Sequence, residues 1–70
     1  MKTNYYDVHV FFSRNEGYSI GVKIETNEEF LTDDKVIEYC VKNGLFEENS
    51  DARLVDSVDE IDENEYLMLI

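Results

Sequence analysis

Residues 31–46, LTDDKVIEYCVKNGLF, are the stretch in which every local signal agrees on one structure, an α-helix. Thr32 is a good N-cap, because its hydroxyl can accept from a free backbone N–H in the first turn. Asp33 and Asp34 then place negative charge at the positive end of the helix dipole. Gly44 is expected to end the helix, since glycine takes the left-handed conformation without strain. The rest of a 70-residue chain must therefore fold around one face of this helix.

That face is a single apolar stripe. It begins with a hydrophobic staple between Leu31 and Val36, and its members are Val36, Ile37, Cys40 and Val41. Cys40 is the only cysteine, so we expect a small buried hydrophobe rather than a disulfide or part of a zinc site.

Two alternating stretches, residues 5–12 and 18–26, precede the helix and predict a β-hairpin. A three-residue loop at 15–17 would place Gly17 at the left-handed position of a bulged turn. Phe11 is then expected over Gly21 on the other face. The predicted apolar pairs are Phe12 with Ile20, Val10 with Val22, and Val8 with Ile24.

The last third of the chain is less clear. Residues 52–61 fit a helical face, or a strand whose alternation shifts once at a bulge to bring Val55, Val58 and Ile61 together. We choose a strand, because a third strand beside the hairpin gives a better core. Asp62 and Glu65 make a capping-box pattern that predicts a short helical turn, although residues 67–70 also fit a strand.

These elements predict one domain over residues 1–70 with a small α+β fold. An antiparallel sheet, made of the N-terminal hairpin and a third strand in the order 2-1-3, packs on one helix. A short helical turn or strand closes the chain. Residues 1–12 have no apolar signal-peptide core, and no apolar run approaches the roughly 20 residues of a membrane span. We expect a cytoplasmic protein that does not bind membranes.

The charge is strongly one-sided, with 17 acids against six bases and a net charge of −11. Such a charge repels nucleic acid directly and favours basic partners. Nine acids and one base, Arg53, fall within residues 47–65, which gives that stretch a charge of −8. The candidate partner-binding acids are Glu47, Glu48, Asp51, Asp56, Asp59, Glu60, Asp62, Glu63 and Glu65.

Two interpretations of these acids stay open. A folded surface with closely spaced carboxylates can occupy a basic groove that normally holds nucleic acid, since duplex DNA carries about one charge per 1.7 Å of its axis. Alternatively, they form a solvated face that keeps a small protein soluble. Their spacing does not fit a calcium-binding EF-hand loop, and we expect no metal and no cofactor.

Tyr5, His9 and Phe11 share the other face of the first strand and form a secondary candidate for a protein contact, because exposed aromatic clusters mark interfaces. His9 is the only histidine and has no nucleophile at a recognisable spacing. We therefore expect no catalytic residue and a protein that is not an enzyme.

The strings YYDVHVFF, VKNGLFEE and DSVDEIDENEY, in this order along the chain, resemble the layout of small acidic accessory proteins encoded by bacteriophages and prophages. The resemblance implies a phage-derived protein of unknown role, in a broad group of which some members are inhibitors of host defence that imitate DNA. It carries over no catalytic residue. The leading expectation is a module that binds a basic host or phage protein, and the alternative is a structural or assembly role through self-association, such as a homodimer.

Overall fold

The computed structural model describes residues 1–70 and contains a three-stranded antiparallel sheet with the strand order β2-β1-β3. This confirms the small α+β fold and the predicted strand order. The elements in chain order are β1 (Lys2–Ser13), β2 (Glu16–Thr26), α1 (Asp33–Lys42), a 3₁₀ helix (Asn49–Leu54), β3 (Val55–Ile61) and α2 (Glu63–Leu69).

The sheet is covered by α1 on one face, called the inner face, and by α2 on the other, the outer face. The core lies between the inner face and α1. Its buried side chains are Tyr6, Val8, Val10, Val22, Ile24, Val36, Cys40 and Phe46.

Both ends of α1 follow the sequence signals. The Thr32 hydroxyl accepts from the Lys35 N–H at 3.3 Å, and Gly44 has a left-handed φ of 64°. The Leu45 N–H donates to the Cys40 carbonyl at 2.9 Å, and the Gly44 N–H donates to the Val41 carbonyl at 3.2 Å. These two bonds form a Schellman motif, which satisfies carbonyls that the helix end leaves free.

The hairpin forms with the predicted inner face, but the predicted register is wrong. Arg14 and Asn15 make a two-residue turn, Ser13 pairs with Glu16, and β1 is bulged next to Phe11. The apolar pairs are instead Val8 with Ile20, Tyr6 with Val22 and Val10 with Tyr18. Val10 thus lies opposite Tyr18 instead of Val22, a slip of four residues. Alternation fixes which side chains lie inside, but a slip by any even number of residues keeps the same side chains inside and leaves the register undetermined.

Gly17 does not occupy the left-handed position of a turn that the sequence predicts. Its φ is not positive, since Gly44 is the only residue with a positive φ. A Cβ added at Gly17 would meet the Val10 carbonyl oxygen, so the glycine permits a close approach of the two strands beside the bulge.

Residues 55–61 form a strand with the expected bulge, as the pairing moves from Ser57 opposite His9 to Val55 opposite Val10. The bulge returns Val55 to the inner face that Val58 also occupies. Ile61 does not join them, because it pairs with Tyr5 and so lies on the outer face.

The predicted cover of Gly21 by Phe11 is also wrong, because Phe11 pairs with Gly17. Gly21 is covered by α2: a Cβ added there would lie 3.0 Å from the Leu69 Cβ and 3.3 Å from a Tyr66 ring carbon. The chain end is therefore a helix that docks on the sheet, and residues 67–69 are not a strand.

Candidate interaction surface

The nine acids of residues 47–65 lie on β3 and on the elements directly before and after it in the chain. Glu47 and Glu48 precede the 3₁₀ helix, which contains Asp51. β3 carries Asp56, Asp59 and Glu60. The cap and first turn of α2 contain Asp62, Glu63 and Glu65. Eight of the nine are exposed, and these eight are called the acidic edge below: Glu47, Glu48, Asp56, Asp59, Glu60, Asp62, Glu63 and Glu65.

Asp51 is the exception, because its side chain is buried. The Tyr18 hydroxyl donates to Asp51 Oδ2 at 2.6 Å, and the Glu48 N–H donates to the same oxygen at 3.3 Å. The Tyr18 hydroxyl also accepts from the Glu47 N–H at 3.2 Å. Asp51 therefore links the segment after α1 to the hairpin, and its side chain is buried and not part of the exposed surface.

The surroundings of Tyr18 also change the pKa of its hydroxyl. Desolvation, and secondly the hydrogen bond to Asp51, raise the pKa of Tyr18 above its usual value. A neutral hydroxyl beside a carboxylate can donate, whereas a tyrosinate would repel it. The link is thus made by the protonated tyrosine.

The β3 part of the acidic edge places negative charge on both sheet faces. Asp59 lies opposite Asp7 of β1 on the outer face, and Glu60 lies opposite Tyr6 on the inner face. Burial, followed by the charge of Glu60, raises the pKa of Tyr6. The Asp7 Oδ1 atom is buried and has no hydrogen-bond partner. Like charges directly opposite each other destabilise a sheet, so the pair of Asp7 and Asp59 has a cost in folding free energy.

The start of α2 uses two of its acids for structure as well. Asp62 Oδ1 accepts from the Glu65 N–H at 2.8 Å and caps the helix. Glu63 Oε2 accepts from the Tyr5 hydroxyl at 3.1 Å. Desolvation and this bond raise the pKa of Tyr5. Both carboxylates remain exposed to solvent.

No carboxylate of the acidic edge is neutralised by a neighbouring cation. The single salt bridge of the protein joins Lys35 and Glu28 at 3.0 Å, outside this surface. Arg53, the only base within the stretch, is exposed and forms no salt bridge. Unpaired charges of one sign on neighbouring elements create a strong local potential that attracts a surface of the opposite sign.

The secondary candidate, Tyr5, His9 and Phe11, is divided by α2. The Tyr5 ring lies 5.0 Å from the Tyr66 ring and is half-buried. His9 Nδ1 lies 3.2 Å from Ser19 Oγ, and Phe11 is 44% exposed near the hairpin turn. The three side chains therefore do not form one continuous aromatic surface.

Sequence reasoning missed two features of this region. One is the link between Tyr18 and Asp51, for which residues 33 positions apart give no local pattern. The other is the docking of α2 on the outer face. The sequence does contain a signal for this docking, since Tyr66, Leu69 and Ile70 have helical spacing, and all three contact the position of Gly21 in the structure.

The remaining chemistry-bearing groups are dispersed. Cys40 is fully buried, and desolvation raises its pKa to about 11. No three His, Cys, Asp or Glu side chains converge as a group that could hold a metal ion. The helices are too short or too polar to cross a bilayer. Comparisons of the chain with protein families, with characterised proteins and with solved structures give no match.

Proposed function

We propose that this protein is a non-enzymatic interaction module whose acidic edge binds a basic surface of another protein. One observation carries the proposal: eight exposed carboxylates lie on β3 and on the segments directly before and after it, and none is in a salt bridge. Exposed charges of one sign increase the association rate with a basic partner more than they increase the equilibrium affinity for it.

The partner class that fits best is a protein with a nucleic-acid-binding groove. Such grooves present clustered Lys and Arg to phosphates, and exposed carboxylates can take the place of the phosphates. The backbone that carries these acids is held by sheet pairing in β3 and by a capped helix in α2, so it is ordered before binding. Pre-ordered groups lose less conformational entropy on binding. In this account the protein inhibits a DNA- or RNA-binding protein, consistent with the phage-encoded inhibitors that its sequence resembles.

The test compares capture from a bacterial lysate by three forms of the protein. The acidic-edge variant replaces Asp56, Asp59 and Glu60 with lysine, which leaves the caps of α2 and the Tyr18 link unchanged. The control replaces three exposed acids elsewhere, Glu16, Glu29 and Glu38, with lysine. Each variant changes the net charge from −11 to −5, because every substitution adds two units.

A partner of the acidic edge is retained by the parent and the control, is lost by the acidic-edge variant, and elutes as salt rises. Duplex DNA or RNA should compete with the protein for that partner. If the two variants retain the same proteins, net charge alone determines capture and the proposal fails.

A further inference from the structure

The sheet has two unpaired edges, and they differ in how they are protected. β3 has seven residues, is bulged, and carries Asp56, Asp59 and Glu60, all of which hinder pairing with another strand. β2 has eleven residues and pairs regularly with β1 from Gly17 to Thr26. Its charged side chains are Glu16, Lys23 and Glu25. A long, nearly neutral edge with free main-chain groups is a template for a further strand.

Apolar surface lies next to the β2 edge. The Ile70 side chain lies 3.3 Å from a Cβ placed at Gly21, yet Ile70 remains 72% exposed. The adjacent Met68 is 85% exposed. Because α2 packs over β1 and β2, a strand added beside β2 would bring new structure close to this uncovered apolar surface.

We propose that the protein forms a two-fold homodimer in which β2 pairs antiparallel with β2 of a second copy. The two copies then share one six-stranded sheet, and the antiparallel pairing places both α2 helices on the same face. If α2 lies above the gap between β1 and β2, its axis is about two strand spacings, or about 10 Å, from that of its mate. This distance is within the range of packed helices, about 8–10 Å.

Charge favours a second copy at this edge and not at the other. Pairing through β2 leaves the two β3 strands at opposite ends, five strand spacings or about 24 Å apart. This exceeds the Debye length of about 8 Å at physiological salt, so the two acidic edges do not repel strongly. Pairing through β3 would instead bring the acids of both copies together.

In the proposed dimer, only one register pairs the full length of β2 with β2 of the second copy. In that register Gly21 lies opposite Gly21 of the partner subunit. Glu16 then lies opposite Thr26 of the partner subunit, and Lys23 lies opposite Ser19 of the partner subunit. Glu25 lies opposite Gly17 of the partner subunit, so no two like charges meet.

The first measurement is the mass in solution by sedimentation equilibrium, where the monomer is 8.3 kDa. We expect a concentration-dependent shift toward twice that mass. A mass that stays at the monomer value up to about 1 mM, the scale of the weakest specific associations, overturns the proposal.

Two substitutions of the exposed Ser19 then test the register. Ser19→Lys places two lysines opposite each other at two symmetric positions, and Ser19→Glu places a carboxylate opposite Lys23 at both. Each cross-strand charge pair has a modest effect, so the two together should weaken the Ser19→Lys dimer roughly tenfold and tighten the Ser19→Glu dimer several-fold.

If general charge repulsion between the two copies controlled dimerisation, Ser19→Lys would dimerise more tightly than Ser19→Glu. Ser19→Lys lowers the magnitude of the net charge from −11 to −10, while Ser19→Glu raises it to −12. Both variants lose the same contact between His9 and Ser19. Equal dimerisation of the two variants, or weaker dimerisation of Ser19→Glu, would rule out this interface.

Discussion

Replacing Tyr18 with phenylalanine removes the hydroxyl that joins the hairpin to the segment after α1. In the parent, this hydroxyl donates to the buried Asp51 carboxylate at 2.6 Å and accepts from the Glu47 N–H at 3.2 Å. A hydrogen bond to a charged group contributes about 1.5–3 kcal/mol. The exposed Glu47 N–H can bond to water in the variant, so the loss is dominated by Asp51.

We therefore expect Tyr18→Phe to lower the free energy of unfolding by about 2 kcal/mol. For a domain of this size each kcal/mol corresponds to about 4–8 °C in Tm, so Tm should fall by about 8–16 °C. Urea denaturation followed by circular dichroism measures the free energy. Tyr39→Phe is the matched control, because the Tyr39 hydroxyl forms no hydrogen bond in the structure.

A double-mutant cycle isolates the bond. Asp51→Ala combined with Tyr18→Phe should cost less than the sum of the two single substitutions, since each removes the same interaction. If Tyr18→Phe costs no more than Tyr39→Phe, or if the cycle shows no coupling, the link does not stabilise the fold and the reasoning is refuted.

Three further predictions concern stability. Folding raises the pKa of Tyr5, Tyr6 and Tyr18 above 10.0, so this stabilisation is present below pH 10 and is lost as the pH rises through the raised values; Tyr18→Phe should lose less stability than the parent as the pH is raised above 10.0 in urea titrations. Asp7→Asn should raise the free energy of unfolding by up to about 1 kcal/mol in urea denaturation, because it removes the like charge opposite Asp59; a lower free energy of unfolding would mean that the Asp7 carboxylate has a stabilising partner. Gly44→Val should cost at least about 1 kcal/mol from its positive φ alone, since an added Cβ meets no atom within 4 Å, and Gly44→Asn should cost less; equal midpoints for the two variants would contradict this explanation.

The sequence predicts those parts of the fold that depend on near neighbours. The Thr32 cap and the Gly44 ending of α1 each involve residues within one or two helical turns, so their patterns are readable without the rest of the chain. The same is true of the Asp62 cap of α2. Alternation in β1 and β2 identifies the inner face, but it leaves open slips by an even number of residues, which is why the predicted hairpin register differs from the observed one by four residues.

Long-range features were not predictable in this way. The docking of α2 on Gly21 depends on the three-dimensional path of the chain after β3, and the bond between Tyr18 and Asp51 joins residues that share no periodic pattern. The same distinction between local patterns and tertiary contacts applies to the candidate surface. The concentration of acids is visible in the sequence, whereas the withdrawal of Asp51 from the surface depends on a tertiary contact.

The most direct test of the acidic edge is the association rate of the captured partner with the parent, the acidic-edge variant and the control variant, measured by stopped-flow at about 50 mM and about 200 mM salt. We predict that at low salt the acidic-edge variant associates at least about tenfold more slowly than the control of equal net charge, and that higher salt reduces this difference. Equal association rates for the two variants at both salt concentrations would contradict the account, because they would show that the position of the carboxylates along β3 has no effect on binding.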